Sequence, residues 1–243
     1  MRVVSLVPSL TELLHDLGLD EEVVGVTTFC VRPPGWSRTK ARVGGTKTVK
    51  LEKVAALEPD LVLANQEENR REDVEWIAAR FPTHVTRVAT VGEALEMIRA
   101  VGGLVEREAR AGVVATQVAA RFESLGDLPP RRASYLIWRD PWMVAGGDTF
   151  IGDVMRRGGF VNAHEDGRRY PAVSAEELRA AAPELLLLSS EPFPFKERHA
   201  AELREAVPGA RPVFVDGELF SWYGSRLLHT PAYLRSLAAP PVE

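Results

Sequence analysis

Residues 51–67 read LEKVAALEPDLVLANQE, and residues 175–191 read AEELRAAAPELLLLSSE. Each segment is a short amphipathic helix, a proline followed by an acid, an apolar strand and a closing glutamate. Aligned on Pro59 and Pro183, the glutamates Glu67 and Glu191 take equivalent places, 124 residues apart in a chain of 243. A helix–strand unit repeated at half the chain length predicts two similar α/β lobes rather than one domain. Ligands of such lobes bind beyond the carboxyl ends of the strands, which is where both glutamates are expected.

Composition sets the outer limits. Hydrophobic residues make up 45% of the chain and charged residues 26%, as in ordinary globular domains. A net charge of −4 gives no electrostatic reason to expect nucleic acid or an anionic membrane as partner. The single cysteine, Cys30, excludes an intramolecular disulfide and reads as a buried structural thiol. The longest apolar run, around Leu185–Leu188, is strand-sized and far short of a membrane span. The start Met1-Arg2-Val3-Val4 shows no secretory leader and no lipid-anchor cysteine. The expected address is therefore cytoplasmic as written, or periplasmic if a leader has been removed.

Outward from the repeat, Val3–Val7, Val23–Thr27, Leu61–Ala64 and His84–Val88 read as strands of a first lobe. Ser9-Leu10-Thr11-Glu12 reads as a capping box, with Leu10, Leu13, Leu14 and Leu17 on one helix face and Gly18 as its stop. Between 93 and 124 the spacing turns helical, with Gly102-Gly103 expected to divide two helices. The second, of about 20 residues, would reach ~30 Å and suits a strut. Beyond Gly126–Pro130, Ala133–Trp138, Leu185–Leu188 and Val213–Val215 read as strands of a second lobe. Asp148 and Ser174-x-x-Glu177 read as helix starts, and a last helix ends near Leu237 ahead of Pro240-Pro241. The expected architecture is thus α/β, two parallel-sheet Rossmann-like lobes joined by a single long backbone helix. Its boundaries are 1–100 for the N-terminal lobe, 101–126 for the helix and 127–243 for the C-terminal lobe.

No dinucleotide fingerprint, Walker loop, nucleophile elbow or zinc-protease pattern occurs, and Gly44-Gly45-Thr46-Lys47-Thr48 lacks the upstream glycine of a phosphate loop. The five histidines are scattered, so no metal site is expected from protein side chains alone. Aromatic residues and arginines do gather at strand ends: Trp138-Arg139-Asp140-Pro141-Trp142, Glu191-Pro192-Phe193-Pro194-Phe195, and Phe220-Ser221-Trp222-Tyr223 leading to Arg226. Such side chains suit a large flat ligand, because each ring buries ~150–250 Å² at low entropic cost. Arg139 and Arg226 could meet ligand carboxylates or phosphates. The same aromatics could equally be core. The acid-rich stretch Gln66-Glu67-Glu68-Asn69-Arg70-Arg71-Glu72 reads either as a solvated helix start or as one half of a two-point contact.

Taken together, Ser5-Leu6-Val7-Pro8-Ser9-Leu10-Thr11-Glu12, Val24-Gly25-Val26, Pro33-Pro34, Val43-Gly44-Gly45, Leu51–Val54, Leu57–Val62 and Tyr170–Ser174 resemble the class III ABC-importer substrate-binding proteins. That family captures vitamin B12, haem and ferric siderophores, and the resemblance is nearest its cobalamin-binding branch. It implies two lobes bridged by one long helix, with the ligand in the cleft between them. On that basis Phe29, Asn65, Gln66, Glu67, Trp138, Arg139 and Trp142 are expected to line the cleft. So are Tyr170, Glu191, Phe193, Trp222, Tyr223 and Arg226. The resemblance also implies an acidic residue on each lobe that docks on permease arginines, for which Glu72 and Glu197 are the candidates. Where cobalamin binders carry an aromatic after the third of these strands, this chain has Asn65-Gln66-Glu67. A smaller, more polar metal chelate is therefore admitted beside a corrinoid.

The expected function is a non-enzymatic binding protein with no catalytic residues and no cofactor of its own. It would hold a metal chelate or corrinoid for an ABC permease, with no nucleic-acid partner, no transmembrane segment and a monomeric state. The alternatives are a two-lobed cytoplasmic enzyme such as a nucleotide-sugar transferase, or a scaffold protein that has lost its ligand.

Overall fold

The computed structural model describes residues 1–238. Pro240 and Pro241, expected to close the chain, lie outside the described residues. In chain order the first half holds β1 (Val3–Ser5), α1 (Pro8–Asp16), β2 (Val23–Val26), α2 (Trp36–Thr39), β3 (Ala41–Arg42), β4 (Gly44–Gly45), β5 (Thr48–Val49) and α3 (Leu51–Ala55). It continues with β6 (Leu61–Asn65), α4 (Arg71–Ala78), β7 (Thr83–Thr86), α5 (Val91–Leu104) and α6 (Glu108–Glu123). The second half holds β8 (Arg131–Trp138), β9 (Trp142–Val144), α7 (Phe150–Arg157), β10 (Phe160–Asn162), β11 (Ala172–Val173) and α8 (Ala175–Ala180). There follow β12 (Leu185–Ser189), α9 (Glu197–Ala206), β13 (Arg211–Val215), α10 (Glu218–Ser221), a 3-10 turn (Ser225–Leu228) and α11 (Thr230–Ala238).

The chain divides into two compact units. The first comprises Met1–Val88, Glu93–Val118 and the short return segment Tyr223–Arg226; the second comprises Ala89–Gly92, Ala119–Trp222 and the residues from Leu227. The first unit is built on a five-stranded sheet in the order β3-β2-β1-β6-β7, every pairing parallel. Val4, Leu6, Val62 and Ala64 are fully buried against Val54 of α3 and Ile77 of α4. All five residues of β6 are buried, as a central strand covered on both faces requires. The second unit's sheet runs β11-β9-β8-β12-β13, with β10 also on β8. It is mixed rather than wholly parallel, since β9 runs antiparallel to both β8 and β11. The tight turn 139–141 folds β9 straight back on β8, where the parallel expectation would need a crossover. Leu136, Leu186 and Leu188 meet Leu178 of α8 and Leu203 of α9 in its core. Each such leucine contributes about 1.5–3 kcal/mol on burial.

The repeat is real at atomic detail. Glu58 and Ala182, the residues before the two prolines, both take the left-handed conformation, with φ of 42° and 46°. The acids after the prolines do the same work: Asp60 accepts the backbone N–H of Arg2 at 2.6 Å, and Glu184 accepts that of Arg132 at 3.0 Å. Each carboxylate thereby ties the entry of a strand to the start of its neighbour.

Several local expectations are corrected. Helix α1 begins at Pro8, with Val7 as N-cap and no side-chain cap, so Ser9 to Glu12 is not a capping box. Pro at the first helical position needs no N–H partner, and this moves the start ahead of Ser9. The leucine face is as expected: Leu10, Leu13, Leu14 and Leu17 are fully buried, and Gly18 follows at φ 82°. Gly102-Gly103 does not break the helical region; α5 runs through both, and the interruption falls at Glu106, φ 57°. A Cβ on Gly102 would overlap that of Ala111, so this glycine allows α5 and α6 to approach closely. The second helix, α6, has 16 residues, about 24 Å, rather than 20. Thr149 rather than Asp148 caps α7, accepting Gly152 N–H at 3.0 Å, while Asp148 accepts Arg169 N–H. The Ser174–Glu177 capping box is present with both hydrogen bonds.

Candidate functional site

In the first unit the strand order reverses direction of growth at β1 and β6, and in the second at β8 and β12, which makes their carboxyl ends the places for a ligand. After β6 the chain turns on Asn65. Its amide donates to the Thr86 carbonyl at 3.0 Å, and its oxygen accepts the N–H groups of Glu67 and Glu68 at 2.8 and 3.2 Å. Asn65 itself is buried, so it is the scaffold of this loop, and Gln66, exposed beside it, is what the loop presents. Glu67 is half-buried, with the Lys47 ammonium on its carbonyl. Phe29, in the loop after β2, is 61% exposed and lies against Gly45.

The expected ligand residues Tyr223 and Arg226 fall in the first unit's return segment, and both are occupied there. The Tyr223 hydroxyl donates to Glu68 Oε1 at 2.8 Å. Arg226 forks onto Glu12, Nε to Oε2 at 3.0 Å with its second nitrogen on Oε1. Both partners of this pair are only 13% exposed. Burial pushes the Glu12 carboxyl up, with Arg226 pulling against it. Gly224 between them admits no side chain, since a Cβ would sit 2.6 Å from the Ser9 carbonyl. The sequence singled out neither Glu12 as an arginine partner nor Glu68 as a hydroxyl acceptor, because both contacts join residues more than 150 positions apart.

In the second unit, Trp138 ends β8 with 40% of its surface exposed, and Phe193 meets it edge-on, ring centroids 5.5 Å apart. Phe193 also touches Phe195 at 4.9 Å and His199 at 5.1 Å. Trp142 is core instead: 7% exposed and stacked on Phe195 at 9°. Arg139 lies over its face at 4.3 Å and grips Glu202 at 2.6 and 3.2 Å. Glu191, half-buried, accepts the Ser221 hydroxyl at 2.7 Å and the Trp222 indole N–H at 2.8 Å. Burial raises its pKa, against the pull of those two donors. Trp222 is itself buried, at 5% exposure. Tyr170 stands apart, three residues before Val173, the residue level with Trp142; Arg169 covers its ring at 5.6 Å. Glu72 and Glu197 lie in the first turns of α4 and α9, the helices that follow the two repeat strands, with 74% and 68% of their side chains exposed.

Cys30 is fully buried between the Thr11 and Thr27 hydroxyls at 3.0 and 3.2 Å, and burial raises its thiol pKa, which fits a structural thiol. Among the described residues no group of three His, Cys, Asp or Glu side chains is placed to hold a metal ion. No described helix is long and apolar enough to cross a membrane.

Two α/β units with aromatic side chains presented at the strand ends define the two-lobed solute-binding class of protein. Solved structures share the fold: the periplasmic vitamin B12-binding protein BtuF of Vibrio cholerae superposes with a TM-score of 0.80 at 21% identity, over 97% of this chain and 95% of that one. The periplasmic haem-binding protein HutB of Vibrio cholerae gives 0.83 at 21%, over 99% of each. The chain belongs to the periplasmic binding protein family, which matches residues 3–207. Among its relatives is a vitamin B12-binding protein of Yersinia pestis (strain Pestoides F), 26% identical over 200 residues, 77% of this chain and 69% of the relative. The family expected from the sequence is the family found.

Proposed function

We propose that this chain is a non-enzymatic carrier that binds a corrinoid or similar metal chelate at its strand-end loops, outside the cytoplasm, and delivers it to an ABC importer. The observation that carries the reading is the aromatic pair at the end of β8, where Trp138, 40% exposed, meets Phe193, itself half-buried against the second unit's core. Phe29 adds a second exposed ring at a strand end of the first unit. The charges narrow the cargo. Arg139 and Arg226 are each forked onto a glutamate, while Glu67, Glu68 and Glu191 stand in the loops after the repeat strands. This setting suits a neutral, amide-bearing ligand such as a cobalamin better than a carboxylate-rich one such as haem. The vitamin B12-binding relative at 26% identity supports the same choice. The metal arrives inside the chelate, so no ligands are asked of the protein. Glu72 and Glu197 are the proposed contacts to the permease.

Calorimetry against cyanocobalamin, haem and ferric siderophores tests the reading. Cyanocobalamin is expected to bind more tightly than haem, and Trp138→Ala is expected to weaken it at least tenfold, about 1.4 kcal/mol, with the melting temperature unchanged. No affinity tighter than ~100 μM for any of the three would overturn it, since that is only ~5.5 kcal/mol.

A further inference from the structure

The imidazole of His199 is built into the underside of the Trp138–Phe193 edge, in a setting that has no room for a second ring proton. It is 7% exposed and wedged between Phe193, at 5.1 Å, and Phe195, at 5.7 Å and 89°. His199 is the third residue of α9, and its Nδ1 accepts the backbone N–H of Lys196, the N-cap residue, at 2.9 Å. This is the position from which a Glu or Gln closes the first turn in a capping box. The Nε2 atom faces a second donor, the Arg198 Nε, at 3.1 Å. A neutral imidazole offers one in-plane lone pair, and an imidazolium offers none. The neutral ring therefore satisfies one of its two donors, while the cation would set N–H against N–H at both.

The charges around the ring act the same way. Lys196, Arg198 and Arg139 disfavour the cation and Glu202 favours it, beneath the leading effect of burial, and the imidazole pKa lies below its ordinary value. The positive end of α9 adds to the disfavour. The rings packed on it, Phe193 and Phe195 of the loop between β12 and α9, carry no charge.

We propose that His199 is a proton-operated pin: neutral, it closes the first turn of α9 and holds Phe193 against Trp138; protonated, it leaves both nitrogens facing donors and lets the aromatic edge come apart. Because the folded pKa is lowered, the ordered edge is complete above the ordinary imidazole value of ~6.5 and is lost as pH falls through the lowered value. Through the proposed ligand site, on which this part of the inference rests, acid would release cargo.

The test uses ligand-free protein labelled with 5-fluorotryptophan, with the Trp138 fluorine resonance assigned through Trp138→Phe. Between pH 8 and pH 5 the Trp138 resonance is expected to shift with a midpoint below 6.5. His199→Gln, which can still accept the Lys196 N–H, is expected to keep the pH 8 resonance and abolish the shift. Persistence of the shift in His199→Gln, or its absence from the wild type, overturns the proposal. If the variant fails to fold, carbon-detected titration of His199 in the wild type decides: a midpoint at or above the ordinary value overturns it. Cyanocobalamin affinity is then expected to fall at least tenfold from pH 8 to pH 5 in the wild type and less than twofold in His199→Gln. If cyanocobalamin binds at neither pH, the ligand reading fails while the fluorine titration still decides the pin.

Discussion

Trp222 and Tyr223 are consecutive in the chain, and each donates to a carboxylate in a loop after a repeat strand: the indole to Glu191, the phenol to Glu68. Both residues read from sequence as ligand-facing, because an aromatic pair near a strand end looks the same whether it lines a site or builds it. What separates the two roles is burial, 5% and 6% exposure here against 40% for Trp138. Glu191 is the informative residue to change. An acid whose folded pKa is raised binds its proton more tightly when folded, so its contribution to stability is present in acid and lost as pH rises through the raised value. Glu191→Gln keeps an acceptor for Ser221 and Trp222 without the buried charge. Thermal unfolding is expected to show the variant equal to wild type near pH 4 and more stable at pH 7; a variant less stable at pH 7 would refute this account of the site. At this scale sequence reading succeeded with Cys30 and with the twin glutamates as positions, and gave no sign that the polar atoms of Asn65 are shared between its own turn and Thr86 on β7.

Elements carry the repeat. The helix, the left-handed residue, the proline and the strand-tying acid recur together because each solves the same problem: stopping α3 or α8 and turning the chain into a buried parallel strand. Neither left-handed position is glycine, and the conformation costs a Cβ-bearing residue about 1–2 kcal/mol. Ala182→Gly is therefore expected to stabilise the protein by about 1 kcal/mol, whereas Ala180→Gly, two residues earlier inside α8, is expected to destabilise it by a similar amount. Chemical denaturation of the two variants, with m unchanged, checks the opposite signs. Element boundaries were legible where local chemistry decides them, as in the Ser174–Glu177 box. They were misread where packing decides, as at Gly102, which looks like a breaker until Ala111 is seen against it.

For the whole molecule, the proposed permease contact is the part of the proposed function that draws one residue from each unit. Glu72 and Glu197 follow equivalent strands, each in a helix first turn, and removal of either leaves the core untouched. Glu72→Lys with Glu197→Lys is expected to leave cyanocobalamin affinity within twofold and to abolish stimulation of the importer's ATP hydrolysis in proteoliposomes. Unchanged stimulation would remove these residues from the contact. The sequence by itself determined the α/β class, the doubling of the helix–strand unit and the family, because hydrophobic period, proline placement and motif order are local and survive without coordinates. Only the tertiary structure decided which strand-end residues are held by other side chains. Arg139, Arg226 and Trp142 all read as site residues, yet Glu202, Glu12 and Phe195 hold them. Those partners lie 53 to 214 residues away, and a contact at that separation leaves no pattern in a single chain, because it is made by the packing of elements and not by their spacing.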